Sequence, residues 1–270
     1  MTIFRDSPRP TEPAPNVLVC AGLDPSGGAG FLVDVRVVHM LGGRPVGAIT
    51  ANTVQNTTGL RSIHEVDGDV LDAQLSALLT DVEIKAIKLG MLGSADAVRI
   101  LDDAFAMTDA PLVWDPIAGP TQGSAVVPRD ALDSVLPKLA AHLTLITPNA
   151  MELAMLAGAP VRTLEEAVAG AKALASLSST AVLVKGGHLE GPERDEVVDV
   201  LAYEGKLEYF RGPRHEGPSV HGTGCALSSA IATYLALRYP LVDACRAAKT
   251  FVAEHIAHPV GPGRGALAIM

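Results

Sequence analysis

A glycine-rich segment in front of an apolar helix is the part of the sequence best suited to chemistry. It reads His221-Gly222-Thr223-Gly224-Cys225 and leads into the small and apolar residues 226–231. At such a junction the backbone N–H groups and the positive end of the helix dipole point to one place, where a small anion is stabilised. A thiolate is stabilised there as well, so the sequence predicts a lowered pKa for the Cys225 thiol. We therefore expect an anion hole at Gly222, Thr223 and Gly224, with a proton acceptor beside it.

Further polar residues could handle phosphate and a divalent cation. Lys185 follows an apolar strand and could reach a nucleotide phosphate as a point charge, although a surface lysine would look the same in the sequence. Asn149 and Glu152 are spaced to orient water on Mg²⁺, and the same spacing is typical of a helix cap with its partner. Asp115 ends another strand and could support the same ion. No histidine in these loops has an i, i+4 partner of the kind zinc needs, so no zinc site is expected.

Two other loops could contact an organic ring. The turn at 22–30 follows neither the dinucleotide-binding nor the P-loop spacing, and Asp34 in the helix after it could face either the cleft or the solvent. The run at 50–59 is rich in uncharged hydrogen-bonding side chains, including Gln55. An amide offers a donor and an acceptor together, which suits the edge of a heteroaromatic ring, although such a run could equally form local turns.

The elements that must position these residues alternate between strand and helix. Apolar strands are predicted at 16–20, 45–51, 86–89, 112–114, 143–146 and 182–184. Helices are predicted at about 29–41, 69–80, 95–106, 164–177, 223–238 and 241–258, with a hairpin at 197–203 and 206–210. This order predicts an α/β fold with a mostly parallel sheet covered on both faces. Ligands bind at the carboxyl ends of such strands, where the polar segments lie.

Composition limits the class of protein. The chain has 270 residues, of which 48% are hydrophobic, and this is enough for one large domain over 16–270 after a disordered tail at 1–15. The net charge of -9 and the lack of a basic block argue against nucleic-acid binding. Three scattered cysteines make no disulfide framework. Because no apolar run has the length of a signal peptide core or a membrane span, a cytoplasmic protein without a membrane partner is predicted.

Six ordered motifs carry a family resemblance: AGLDPSGGAGFLVD, TANTVQNTTG, KLGML, TPNAMELAML, VLVKGGH and HGTGCALSSAIA. In this order and spacing they resemble the hydroxymethylpyrimidine/phosphomethylpyrimidine kinases of thiamine biosynthesis, which belong to the ribokinase superfamily. The resemblance covers about Val17 to Gly263. It implies a three-layer α/β/α ribokinase-like fold, ATP and Mg²⁺ as cofactors, and a homodimer. It also implies phosphorylation of 4-amino-5-hydroxymethyl-2-methylpyrimidine, and then of its monophosphate to the diphosphate.

The resemblance also implies a role for each matched residue. The pyrimidine pocket would be lined by Gly22, Ala29, Asp34, Gln55 and Met91. Gln55 would read the ring nitrogen and amino group, and Met91 would pack on the ring face. The catalytic residues would be Cys225, close to the acceptor hydroxyl, with Gly222 and Gly224 of the anion hole. The ATP phosphates would meet Lys185 and Thr223, and Mg²⁺ would be organised, mainly through water, by Asp115, Asn149 and Glu152.

One segment departs from the family, and two other functions stay open. After Pro116 the family continues with a methionine and a lid of small residues, whereas this chain has a different sequence at 117–123, so no lid residue is assigned to the site. A pyridoxal kinase of the same superfamily is an alternative, although a second cysteine that some of those enzymes carry in the lid is missing at 115–123. A non-catalytic ligand-binding paralogue is a further alternative, against which the intact Lys185, Glu152 and Cys225 argue.

Overall fold

The computed structural model describes residues 13–117, 129–190, 195–215 and 217–270, without the side chains of 129–132. Most of the predicted tail at 1–15 and of the divergent segment at 117–123 therefore lies outside the described residues. The strands are β1 (Asn16–Leu23), β2 (Arg44–Asn56), β3 (Gly59–Glu65), β4 (Ile84–Leu89), β5 (Leu112–Trp114), β6 (Leu143–Ile146), β7 (Ala181–Val184), β8 (Glu196–Tyr203), β9 (Lys206–Pro213), β10 (Val220–His221) and β11 (Leu267–Ala268). The helices are α1 (Gly30–Met40), α2 (Gly68–Asp81), α3 (Ala95–Phe105), α4 (Arg129–Leu139), α5 (Ala150–Ala157), α6 (Leu164–Ser178), α7 (Thr223–Ala236) and α8 (Leu241–Ile256).

The described strands β1–β9 form one sheet in the order β3-β2-β1-β4-β5-β6-β7-β8-β9. Six neighbouring strands run parallel, namely β2, β1, β4, β5, β6 and β7. The strands β3, β8 and β9 pair antiparallel at the two edges of the sheet. The predicted mostly parallel sheet is therefore confirmed. Its parallel strands bring the carboxyl ends of β1, β4, β5, β6 and β7 to one edge, where most of the polar segments begin.

Helices cover both faces of this sheet. Successive side chains of β1 point to opposite faces, so Leu18 and Cys20 join one apolar cluster while Val17 and Val19 join the other. The first cluster is completed by residues of α2 to α6, and the second by residues of α1, α7 and α8. This is the predicted three-layer α/β/α arrangement. Among the described residues, no helix combines the length and the hydropathy needed to cross a bilayer.

Several elements differ from the sequence-based prediction, which also lacked the short strands β10 and β11. The polar run at 50–59 is not a loop, because β2 extends to Asn56 and pairs antiparallel with β3. Its burial alternates, with Thr53 buried and Val54 exposed, so the segment has the period of two of a strand with one buried and one exposed face. The helix α4 was not predicted; Pro137 stands inside it, and proline is the residue least compatible with a helix interior.

Candidate active site

The predicted anion hole lies at the N-terminus of α7. Gly222 caps this helix with a φ of 85°, a conformation that strongly favours glycine, and a Cβ at this position would overlap the carbonyl oxygen of Gly28. Gly222 has no side chain with which to satisfy the N–H groups of the first turn, where Thr223 and Gly224 stand. Gly222 therefore offers these backbone donors no side-chain acceptor, and the anion hole at this turn stays a prediction.

A buried cluster of charges lies beside this turn. Lys185 Nζ is 2.7 Å from Asp115 Oδ1 and 3.5 Å from Glu152 Oε2. A Cβ added to Gly224 would be 3.1 Å from Lys185 Nζ and 3.6 Å from Asp115 Oδ2, so the glycine lets the helix approach both groups. The Lys185 side chain is only 15% exposed, so it is no surface lysine. The structure therefore brings Asp115, Glu152, Lys185 and Gly224 together from four elements.

The electrostatics of this cluster keep the lysine charged. Burial alone would lower the pKa of Lys185, but the charges of Asp115 and Glu152 raise it above its ordinary value. For Glu152 the largest effect is burial, which raises the pKa of its carboxyl group, partly offset by the charge of Lys185. A permanent cation thus stands at the first turn of α7, where phosphate oxygens would need one.

The predicted magnesium residues fit the ion only as an outer support. The Asn149 side chain accepts a hydrogen bond from Glu152 N at 2.9 Å, and Glu152 Oε2 accepts one from Asn149 N at 2.7 Å, which confirms the helix-cap interpretation. Asp115 and Glu152 offer the hard carboxylate oxygens that Mg²⁺ prefers. Within the part of the chain that the structure describes, no three His, Cys, Asp or Glu side chains form a metal cluster. These residues suit an ion held mainly through water.

The predicted pyrimidine pocket gathers on the other side of the turn. A Cβ at Gly22 would be 2.9 Å from the Met91 sulfur, so the end of β1 and the segment after β4 are in contact. Ala29 is the N-cap of α1 and adjoins Gly30, where a Cβ would overlap the Gly22 carbonyl oxygen. Gln55 Nε2 lies 3.3 Å from His221 Nε2, which ties the pocket to the anion-hole turn.

Asp34 is placed differently from the prediction. Its side chain is fully buried and faces neither the cleft nor the solvent. Oδ2 accepts a hydrogen bond from Lys88 Nζ at 2.6 Å, and Oδ1 accepts one from Ser229 Oγ at 2.7 Å. Because both oxygens are engaged by residues of β4 and α7 and the side chain is fully buried, Asp34 serves as a structural partner of Lys88 and Ser229.

The predicted lowering of the Cys225 pKa is wrong. Cys225 is 6% exposed, and burial raises the pKa of its thiol to about 12. The charge of Lys88 and the N–H of Gly30 lower this pKa, but they do not outweigh the loss of water around the sulfur. The group beside the anion hole is therefore a neutral thiol at physiological pH.

Sequence reasoning assigned no role to three side chains at the site, namely Lys88, Asp24 and His221. Lys88 stands between Ile87 and Leu89 in a buried strand, and a charged residue in such a run is the signal that could have found it. Burial alone would lower the pKa of Lys88, but Asp34 and its neighbours raise it above the ordinary value. Asp24 and His221 stand inside two of the quoted motifs, but nothing in the sequence indicates their contact with each other, because they meet only in the folded chain.

Comparisons with known proteins identify the family of this chain. A family model described as "Phosphomethylpyrimidine kinase" matches residues 24–270. The chain is 40% identical over 256 residues to the hydroxymethylpyrimidine/phosphomethylpyrimidine kinase of Mycobacterium tuberculosis, covering 93% of this chain and 92% of the relative. It is 36% identical over 261 residues to the enzyme of the same name from Streptomyces coelicolor, covering 96% of each. It spans only 34% of the "Thiamine biosynthesis multifunctional protein ThiED" of Corynebacterium efficiens, at 38% identity.

Solved structures show the same fold. Pyridoxal kinase of Bacillus subtilis, in an ADP complex, superposes with a TM-score of 0.86 at 25% identity, covering 94% of this chain and 96% of the other. Phosphomethylpyrimidine kinase of Clostridium difficile superposes with a TM-score of 0.78 at 27% identity, covering 90% and 99%. Since the family model matches most of the sequence and close relatives align over nearly their whole length, this chain belongs to the phosphomethylpyrimidine kinase family.

Proposed function

We propose that this chain uses ATP to phosphorylate 4-amino-5-hydroxymethyl-2-methylpyrimidine and then converts the monophosphate to the diphosphate, as part of thiamine biosynthesis. Family membership and the names of the relatives support the reaction and both substrates. The strongest structural support for the proposal is a set of contacts around the first turn of α7. A buried lysine with two carboxylates lies next to Gly224 in the first turn of α7, and Gln55 contacts His221, which stands just before this turn.

Each side of the turn suits one substrate. The charged side, with Lys185, favours the polyphosphate of a nucleotide, and the ADP complex of the similar Bacillus subtilis kinase supports nucleotide use here. The other side offers the amide of Gln55 and the thioether of Met91, which suit the edge and face of a small heteroaromatic ring. Between them, the N-terminus of α7 stabilises the charge of the transferred phosphoryl group.

Magnesium completes this proposal. Asp115 and Glu152 would hold the ion mainly through water, and Asn149 would keep Glu152 in place through the helix cap. When bound, Mg²⁺ neutralises phosphate charge. Lys185 would remain charged beside it and orient the phosphate oxygens. A homodimer and a cytoplasmic location, which the family resemblance and composition suggest, stay predictions.

ATP consumption with three acceptors tests the proposal. The pyrimidine and its monophosphate should both be phosphorylated in the presence of Mg²⁺, and pyridoxal should react much more slowly. Lys185→Met should reduce both pyrimidine activities by about 100-fold or more, as expected for loss of a charge that stabilises the transition state. The matched control is Lys172→Met, on the exposed side of α6, which should leave them unchanged.

The same panel separates the alternatives. Preference for pyridoxal would favour the pyridoxal kinase function, which is the activity named for the similar Bacillus subtilis structure. If none of the three acceptors stimulates ATP consumption, the chain is a non-catalytic binding protein and the proposal fails.

A further inference from the structure

Three side chains from separate strand ends meet between the pocket and the anion-hole turn. His221 Nε2 lies 3.3 Å from Gln55 Nε2 and 3.4 Å from Asp24 Oδ2. The His221 side chain is 31% exposed, whereas that of Asp24 is 4% exposed. One imidazole nitrogen thus contacts both a buried carboxylate and the Gln55 amide.

The amide of Gln55 can adopt two orientations that differ by half a turn. One places its NH₂ group next to His221, and the other places its oxygen there. Thr53 does not decide between them: its Oγ1 donates its one hydrogen to Leu23 O at 2.7 Å, whereas Gln55 Oε1 is 3.4 Å away. Among the described side chains, this leaves the His221 nitrogen as the group that can hold the Gln55 amide in one orientation.

The imidazole is itself held in place. Its ring packs on Gly28, where an added Cβ would be 3.0 Å from His221 Cδ2. The backbone of His221 is paired with β11, because Ile269 N donates to His221 O at 3.0 Å. A ring fixed on one side by backbone and on the other by a glycine presents Nε2 at a constant position. The same Nε2 lies 3.4 Å from the buried Asp24 Oδ2, so this nitrogen carries a hydrogen for the carboxylate and favours the Gln55 orientation that turns the amide oxygen toward His221.

We propose that His221 is a specificity-determining residue that fixes the Gln55 amide so that the pocket takes 4-aminopyrimidines and rejects 4-oxopyrimidines. This inference rests on the proposed function. A 4-amino ring shows an acceptor at N3 beside a donor at C4, whereas a 4-oxo ring shows the reverse pattern. One amide orientation matches one of these rings through two hydrogen bonds, and the flipped amide matches the other. His221 acts through Gln55 and is therefore a positioning residue.

The test compares two ligands of nearly equal shape on three proteins. Dissociation constants and kcat/KM are measured for 4-amino-5-hydroxymethyl-2-methylpyrimidine and for its 4-oxo analogue, with the wild type, His221→Leu and His221→Gln. The wild type should favour the amino compound, and His221→Leu should reduce this preference by about tenfold or more, the value of one hydrogen bond. His221→Gln, whose NH₂ group can again donate to the Gln55 amide oxygen, should restore much of it.

The ratio between the two ligands separates positioning from general damage. A purely structural loss would weaken both ligands equally and leave the ratio unchanged, which would overturn the inference. Binding is measured without turnover, so the inference is judged independently of catalysis. If the wild type shows the preference but His221→Leu retains it in full, the inference fails while the proposed function stands. If the wild type neither binds nor phosphorylates the amino compound, both fail.

Discussion

A buried ion pair gives a prediction about stability. Lys88 Nζ lies 2.6 Å from Asp34 Oδ2, and both side chains are 0% exposed. Lys88→Met keeps most of the volume of the side chain and removes its charge. It leaves the Asp34 carboxylate among β4, α1 and α7 with Ser229 as its remaining partner.

The magnitude follows from the geometry. At an effective dielectric constant of about 20, the attraction at this distance is about 6 kcal/mol, and it is opposed by a desolvation penalty of several kcal/mol for each ion. The intact pair therefore contributes little net stability, whereas removal of one partner should cost about 3–5 kcal/mol. This is a large share of the roughly 5–15 kcal/mol by which a domain is stable. Lys88→Met with Asp34→Asn should recover most of the loss, because no buried charge remains and the amide can still accept from Ser229.

Urea denaturation followed by circular dichroism measures the free energy of unfolding for each variant. Lys85→Met is the matched control, three residues earlier in the same strand, where Lys85 pairs with Glu83 at the surface. It should change stability by no more than about 1 kcal/mol. A loss below about 1 kcal/mol for Lys88→Met, or a double variant no more stable than the single one, would refute the reasoning.

Three further predictions concern the residues around the pocket. Gly222→Ala should cost about 2–3 kcal/mol of stability, because a positive φ and the Gly28 carbonyl oxygen both oppose a Cβ. Gly224→Ala meets only side-chain atoms, of Lys185 at 3.1 Å and Asp115 at 3.6 Å, and should cost less than about 1 kcal/mol. Equal losses in urea denaturation would contradict this. Cys225→Ala should slow phosphorylation of the hydroxymethyl substrate more than that of the monophosphate, because the acceptor oxygen of the monophosphate is already ionised. An equal loss of rate for the two substrates, each measured separately, would exclude a base role for Cys225. Because the Cys225 pKa is about 12, the first step should still rise with pH at pH 9 if the thiolate is the base. Asp24→Asn should lower stability near pH 7, and this effect should disappear as the pH falls below about 4. Burial raises the pKa of Asp24, but hydrogen bonds from His221 and Ser26 outweigh it and hold the folded pKa below the unfolded value, so the carboxylate stabilises the fold above the unfolded pKa and loses this contribution on acidification. A stability difference that stays constant down to pH 2.5 in acid titration would be the contrary result.

Most of the architecture follows from the sequence. Apolar strands alternate with helices, so their order predicts a parallel sheet with helices on both faces, and the polar motifs follow strands whose carboxyl ends share one edge. The convergence of Lys185 with Asp115 and Glu152 could thus be expected. The hairpin of β2 and β3 was missed because its alternation is carried by Thr, Asn and Gln side chains, which are also the residues of turns.

The sequence by itself determined which groups gather at the end of the sheet, because strand direction and chain order decide that. Only the tertiary structure decided how deep each group lies and which partner it meets. Cys225 and Asp34 show the difference: both stand near helix N-termini, but the packing of β4 and α7 removes water from around them. Desolvation and pairing depend on atoms distant in the chain, such as Lys88 for Asp34 and Asp24 for His221, so no local pattern contains them.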